Sequence, residues 1–486
     1  MEQKVHNGKL MMDMFTGTNV SNPRPWSVVS LFSGCGGLDI GFRRQGFNIL
    51  YACDHDIDAV TCYRYNVEPN AIFRDVNDPS FIDELRAIGT CDVVLGGFPC
   101  QGFSKAGPKR KDDDRNKLYV KMQEAVRILR PKLFLAENVD GIQQNFGGVF
   151  VEKIRAGFCF NSLAYSVDYR VIDANAYGVP QHRRRAFFVG VRRGDDLEFK
   201  WPKPTHTPRE RNGEFKVKIH PRFEIETTDE PLPRPKTIAD AIRDIQASGL
   251  EVPDHEVTGC WPKKYIHIFR AIGPGQKLCN VRHSATSVYT WQIPQVFGAT
   301  SDRQRLILET ISRNRRHKKY GNIPNGNPLP IDDIERISGL NNLTEDINDL
   351  LSKGYLKFIN DGFDLKGAMF CSGLFKRPLW TEPSPTVLTN FYNPRFFLHP
   401  ELDRPLTLRE CARLQGFSDD FAFKAAGIDL TAGYRLVGNA VPPPMGSAFA
   451  SEFRRTLENY RYRQDISVHT NNSAPFQLDK LISVSS

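Results

Sequence analysis

The sequence predicts an α/β fold: a doubly wound, mostly parallel sheet joined to a second, smaller domain. Three observations predict it. From Ser27 onward short apolar runs alternate with amphipathic stretches, as when helices cover parallel strands. A glycine-rich turn stands directly between the first apolar run and the first helical stretch. A chain of 486 residues is also too long for one ordinary core. Strands are expected at Val28 to Phe32, Ile49 to Cys53, Ala71 to Phe73, Val93 to Leu95, Leu133 to Ala136 and Phe187 to Val191. Helices are expected at Ile57 to Tyr65, Phe81 to Ile88 behind Pro79, and Lys117 to Arg130.

Before Ser27 the chain is polar, so residues 1–24 read as a loose tail and 25–200 as the first domain. After Trp201 the pattern becomes Pro-rich and basic (WPKPTHTPRERNG, DEPLPRPKT), opening a second domain over 201–425. Within it, 301–366 reads as three helices (Asp302 to Ser312, Ile331 to Ile337, Glu345 to Leu351) and a hairpin about Asn360-Asp361-Gly362, an order resembling a winged helix. Residues 426–462 return to the first domain, and 463–486 read as a C-terminal tail.

The 65 basic and 56 acidic residues leave a net charge of +9, which favours an anionic partner without naming one. The opening MEQKVHNGKL lacks the apolar block of a signal peptide and no apolar run spans a bilayer, so no membrane association and a cytoplasmic location are expected. Ten scattered cysteines with no C-x-x-C pair argue against a zinc knot or a disulfide framework, so no metal is expected.

In VVSLFSGCGGLDIGF, Gly34, Gly36 and Gly37 follow the first strand, where glycines allow close approach of backbone to a ligand. A structural turn or a dinucleotide site would use the same glycines. Asp54 ends the second strand, where a carboxylate can accept from both ribose hydroxyls, and Asp75 ends the third, within reach of an adenine amino group. Either could instead cap a helix. With Phe32 to pack on adenine, and His55 and Val76 beside the two acids, they describe an adenosyl pocket.

LGGFPCQGFS places Cys100 in a tight loop beyond the fourth strand. LAENV delivers Glu137 and Asn138 to the same rim. A thiolate that adds to carbon 6 of cytosine activates carbon 5, and a carboxyl at ring nitrogen 3 eases that addition, so Cys100 and Glu137 form a chemically sensible pair. In YGVPQHRRRAFFVG, Arg183 and Arg185 point the same way in an extended segment, where their forks can hold a base carbonyl, a phosphate or Glu137.

These segments resemble the ordered motifs of the cytosine-5 DNA methyltransferases of bacterial restriction-modification systems. FSGCGGLDIGF, GGFPCQGFS, ENV, QHRRR, RPLTLRECARLQGF and GNAVPPP carry the resemblance, which covers most of 27–191 and 376–447. It implies the S-adenosylmethionine-dependent methyltransferase fold, with Cys100 attacking carbon 6, Glu137 at nitrogen 3, Arg185 on the cytosine carbonyl, and Asn138 and Arg183 shaping that pocket. Asn439, Ala440 and Val441 would meet the methionine end of S-adenosylmethionine, and Arg409 to Phe417 would be scaffold. The target cytosine would be flipped out of double-stranded DNA. The loop carrying Gln101 and Ser104 would close over it and touch DNA. A restriction endonuclease would be a functional partner of an otherwise monomeric enzyme. Relatives acting on tRNA carry a Cys-Phe-Thr segment not found here. An oxidoreductase would explain the glycines alone, and a regulator without catalysis would not need Cys100, Glu137 and Arg185 together.

Between QHRRR and RECARLQGF, the winged-helix-like stretch looks inserted between AIGPGQKL and RPLWTEPSPTVLT. Residues 303–319 hold seven Lys or Arg against the single acid Glu309. Arg313, Arg315, Arg316, Lys318 and Lys319 are therefore expected to grip DNA, whereas the third helix, with Glu345, Asp346 and Asp349, is poorly suited to phosphates, though a carboxylate can accept from a cytosine amino group; the alternative is a structural or protein-contacting insertion.

Overall fold

The structure is a computed structural model describing residues 24–98, 118–143, 149–160, 163–207, 231–247, 251–257, 261–323, 326–366 and 373–472. Five apolar runs become strands β1 (Ser27–Leu31), β2 (Asn48–Asp54), β3 (Ile72–Phe73), β4 (Val93–Gly96) and β5 (Leu133–Val139). Helices α1 (Asp39–Arg44), α2 (Ile57–Asn66), α3 (Ser80–Ile88) and α4 (Leu118–Leu129) lie between them. After α5 (Val149–Gly157) the chain adds β6 (Cys159–Phe160), β7 (Leu163–Asp173) and β8 (Arg184–Arg192). The sheet runs β3-β2-β1-β4-β5-β8-β7-β6. Its first five strands are parallel, and the rest join antiparallel.

Alternation along each strand divides the core. Val28, Leu95, Leu133 and Phe187 pack on one face with residues of α1, α2 and the C-terminal helices, while Val29, Val94, Phe134 and Phe188 pack on the other with α3, α4 and α5. The order reverses between β1 and β4. In an open parallel sheet this is the point where the loops leaving two neighbouring strands diverge and leave a crevice.

The chain leaves the sheet after β8. Helix α6 (Ile238–Ala247) packs back on α12 (Leu408–Gln415), placing Ile238, Ile242 and Ile245 in the first core. Between them lie α7 (Lys263–Ala271), the paired short strands β9 (Lys277–Leu278) and β10 (Ser287–Val288), α8 (Pro294–Phe297), α9 (Asp302–Asn314), α10 (Ile331–Ser338) and α11 (Thr344–Lys353). A hairpin of β11 (Leu356–Ile359) and β12 (Gly362–Leu365) follows. Asn360 and Asp361 both have positive φ, the backbone a two-residue hairpin turn demands. Ile307, Ile311, Ile334, Ile347, Leu350 and Leu365 give this segment a core of its own.

The chain then returns through α13 (Leu430–Asn439) and α14 (Pro443–Asn472). The sequence predicts a tail from Arg463, but the helix continues to Asn472. Arg463 bonds to Asp196 at 2.7 Å, and a polar helix end of this kind shows no apolar period to betray it. Helices α1 and α14 cross where both carry glycine: a Cβ on Gly41 would lie 2.1 Å from the Gly446 carbonyl carbon, and one on Gly446 2.5 Å from the Leu38 oxygen. The segment after α13 is thereby brought against the glycine turn after β1.

Candidate active site

A cavity of about 340 Å³ opens at the carboxyl ends of β1 and β4. Its lining brings together Phe32, Gly34, Gly37, Asp54, His55, Glu137, Asn138, Arg185, Asn439, Ala440 and Val441, residues drawn from five separate motifs. At one end the Gly34 amide donates to Asp54 Oδ2 at 2.8 Å, and the Asp56 amide donates to Asp54 Oδ1 at 3.0 Å. Asp54 Oδ2 keeps a lone pair for a hydroxyl. Phe32 holds a left-handed backbone, φ 54, a conformation that costs an aromatic residue on the order of 1 kcal/mol or more and persists only where the surroundings impose it. His55 Nδ1 lies 3.4 Å from Asp54 Oδ1, and the hydrogen bond to Asp54 raises its pKa.

The glycines divide their work. Gly34 takes positive φ with open space around it, whereas a Cβ at Gly37 would sit 2.3 Å from the Val441 oxygen and one at Gly36 2.5 Å from Val67. Gly37 lines the cavity, but Gly36 does not: it serves packing rather than ligand approach.

At the other end, Glu137 and Arg185 meet because of strand register. Glu137 pairs across the sheet with Phe187, and Arg185, two residues away, shares that face. Arg185 Nε stands 3.0 Å from Glu137 Oε1, and both side chains are largely buried. Burial raises the Glu137 pKa against the opposing pull of Arg185 and Arg183, so its carboxyl holds a proton more readily than an exposed one. Asn138 Nδ2 donates to the Phe98 carbonyl at 3.1 Å, anchoring the last described residue before the loop of Cys100. Cys100, Gln101 and Ser104 lie outside the described residues.

Other expected residues fall elsewhere. Arg183 is fully buried; its Nη1 and Nη2 donate to the carbonyls of Val387 and Gly438 at 3.1 and 2.7 Å, so it braces the wall instead of lining the cavity. Asp75 is exposed, closes a turn on Asn77 at 2.9 Å and is not part of the lining. Val76 is buried in the second core. In α9 and beyond, Arg315 corrects the expectation of a DNA-facing row: it is buried and holds Asp364 through two 2.8 Å bonds. Arg313 pairs with Glu309 and Lys319 with Asp333, while Arg316 and Lys318 are exposed.

Sequence reasoning missed Asp39. It is buried, lines the cavity and accepts from Ser30 Oγ at 3.0 Å and Tyr63 Oη at 2.8 Å; burial pushes its pKa up to about 6. Its place two residues after the glycine turn was the available signal. Also missed was a relay among the motifs. Gln181 donates to the Leu414 carbonyl at 3.0 Å and to the Gln415 side chain, whose own amide donates to the Ala440 carbonyl.

A doubly wound sheet whose crevice combines a glycine turn, a carboxylate at the end of β2 and a buried carboxylate–guanidinium pair has the layout of an α/β enzyme that holds its ligands beyond the carboxyl ends of the strands. The chain belongs to the C-5 cytosine-specific DNA methylase family, whose model matches residues 26–455. It is 31% identical over 442 residues to the type II methyltransferase M.AgeI of Thalassovita gelatinovora, covering 88% of this chain and 99% of that one. It is 29% identical to M.HgiBI of Herpetosiphon aurantiacus (86% and 94% covered) and 28% to M.DdeI of Desulfomicrobium norvegicum (91% and 92%). It is thus a DNA (cytosine-5-)-methyltransferase of the bacterial restriction-modification kind.

Proposed function

We propose that the chain methylates carbon 5 of a cytosine flipped out of a specific double-stranded DNA sequence, through a covalent bond between Cys100 and carbon 6. The observation that carries this reading is a shared cavity in which the Glu137–Arg185 pair faces the glycine turn, Asp54 and Asn439–Val441.

The residues present fit S-adenosylmethionine. Asp54 offers acceptors to ribose hydroxyls, Phe32 a ring to adenine, and the Asn439–Val441 main chain a wall for the methionine end, with His55, Gly34, Gly36 and Gly37 shaping the turn. Asp75 and Val76, in the loop after β3, stand outside this lining and are given no contact with the group. When bound, this group supplies an electrophilic methyl.

The base is handled by this chain's own groups. The Cys100 thiolate forms a bond to carbon 6, and the displaced electron pair moves toward nitrogen 3, which Glu137 protonates or hydrogen-bonds. Arg185 uses Nε on Glu137 and keeps further donors for the cytosine carbonyl. Asn138 fixes the start of the Cys100 loop and Arg183 fixes the wall behind Arg185. Once carbon 5 carries the methyl, water removes its proton and the sulfur leaves with its bonding pair restored. Gln101 and Ser104 would meet DNA from the same loop.

In this reading residues 25–200 and 426–462 carry the chemistry and 201–425 the target recognition, with 301–366 a winged-helix-like insertion. The protein acts in the cytoplasm as a monomer beside a restriction endonuclease of matching specificity. No described helix is long and apolar enough to cross a membrane. The test is a duplex carrying 5-fluorocytosine at the target, which blocks proton removal. Wild type should form a covalent adduct and Cys100→Ser none, with cofactor affinity unchanged. An adduct formed by the serine variant refutes the assignment.

A further inference from the structure

The cations of residues 303–319 are not equivalent. Arg303 bonds Asp346 at 2.6 Å, Arg305 lies 3.3 Å from Asp302, Arg313 3.3 Å from Glu309, Arg315 is buried on Asp364, and Lys319 sits 2.9 Å from Asp333. Each of these five has an acid. Arg316 and Lys318, both exposed, form no ion pair among the described residues.

A third exposed cation without an ion pair among the described residues, Arg282, comes from a different part of the chain, the loop between β9 and β10. Ser312 Oγ of α9 donates to the Asn280 carbonyl at 3.0 Å, which brings the segment two residues before Arg282 against the one four residues before Arg316. Burial and then the positive charges of Arg282 and Arg315 lower the pKa of Arg316, against a pull from Cys279.

Holding like charges together costs free energy, and here the scaffold is built to hold them. At the base of the loop, buried Asn280 donates to Thr290 Oγ1 at 2.7 Å and accepts from the Thr290 amide at 2.9 Å. Its carbonyl accepts from Ser312 Oγ of α9 at 3.0 Å. The loop is also tied internally: Ser287 Oγ donates to the Arg282 carbonyl at 3.0 Å, and Ser284 Oγ lies 2.8 Å from Ser287 Oγ. Arg282 and the turn after α9 are thus fixed relative to each other before any ligand arrives.

We propose that the Arg282–Ser287 loop and the turn following α9 form a site for the sugar-phosphate backbone of duplex DNA, centred on Arg282 and Arg316. The site rests on the reading of the chain as a DNA methyltransferase and adds a sequence-independent grip outside the catalytic cavity. Two exposed guanidinium forks, on segments tied to each other through Asn280 and Ser312, suit phosphate oxygens, which accept from both. The acid-paired cations around them contribute little, because each would have to give up its partner first.

The experiment measures binding of the full chain to a target duplex and to a scrambled duplex across a salt titration, for wild type, R282Q/R316Q and the control K319Q. Cofactor binding and turnover at saturating DNA serve as checks of folding. The double variant should bind both duplexes on the order of tenfold more weakly, with a log–log salt slope shallower by about 1.8, and keep its turnover at saturation. K319Q should resemble wild type. Unchanged affinity and slope in the double variant, while wild type methylates and binds normally, would overturn the site alone. A loss confined to the target duplex would overturn it in favour of base reading. Failure of wild type to bind or methylate DNA would instead overturn the underlying function.

Discussion

Replacing Asp39 with asparagine isolates a cost built into the floor of the cavity. The Asp39 carboxyl is buried, and its pKa rises from 3.8 to about 6 because burial outweighs the hydrogen bonds from Ser30 and Tyr63. A carboxyl whose folded pKa is raised binds its proton more tightly in the folded state. Its favourable share of stability is complete below about pH 4 and is lost as pH climbs through 6. Two pKa units correspond to roughly 3 kcal/mol once the group is ionised in both states, and about half of that develops between pH 5 and 8. The substituted amide cannot ionise and keeps one acceptor oxygen, and the Tyr63 hydroxyl can rotate to accept from its NH₂ group. The difference in unfolding free energy between wild type and Asp39→Asn, from urea titrations at pH 5, 6.5 and 8, should therefore shift in favour of the variant by about 1.5 kcal/mol over that range. The subtraction cancels other titrating groups. A difference independent of pH would mean that Asp39 is ionised at no special cost, and the argument from burial would fail.

Three further outcomes follow from the geometry. Gly446→Ala places a methyl 2.5 Å from the Leu38 backbone oxygen, which cannot give way as a side chain would, so thermal unfolding should show a loss of about 1–3 kcal/mol. Asp54→Ala removes the acceptor of the Gly34 and Asp56 amides and should weaken cofactor binding by roughly 1–3 kcal/mol in calorimetry. Asp75→Ala, outside the lining, should cost clearly less, and equal losses would place adenine against Asp75 after all. Glu137→Gln keeps the shape but supplies no transferable proton, so tritiated methyl transfer should slow on the order of a hundredfold or more with cofactor affinity intact; near-normal turnover would remove Glu137 from its role.

The parallel half of the sheet was legible because its central strands β1 and β4 are apolar runs buried on both faces, and the cavity because its motifs end those strands and their neighbours. Strand β7 was not legible: LAYSVDYRVID mixes apolar residues with Asp168 and Arg170, and only tertiary contacts explain them. Trp201 Nε1 donates to Asp168 at 2.8 Å, and the Arg170 guanidinium lies over the Trp201 ring. The same limit misled the count of cations. A local tally sees seven charges beside one acid, but Asp346, Asp364 and Asp333, which neutralise three of them, stand 14 to 49 residues away along the chain. Charge density is a local property of sequence; free charge is a property of the fold.

The arrangement of the motifs then has a physical reading. The cavity needs the glycine turn after β1 and Asn439–Val441 at its two walls, yet the long segment from α6 to α12 separates them in the chain. Contacts at the neck of that segment solve the problem. Gln181, just before β8, reaches the end of α12, Gln415 passes the connection to Ala440, and Arg183 clamps Val387 and Gly438. On the opposite side, Gly41 and Gly446 let α1 and α14 touch backbone to backbone. The segment leaves and returns through one braced neck, and the α9–β12 part beyond it has its own core. Arg282 and Arg316 lie on segments that contribute to that core, so substitutions at these exposed positions leave the groups that line the cavity in place.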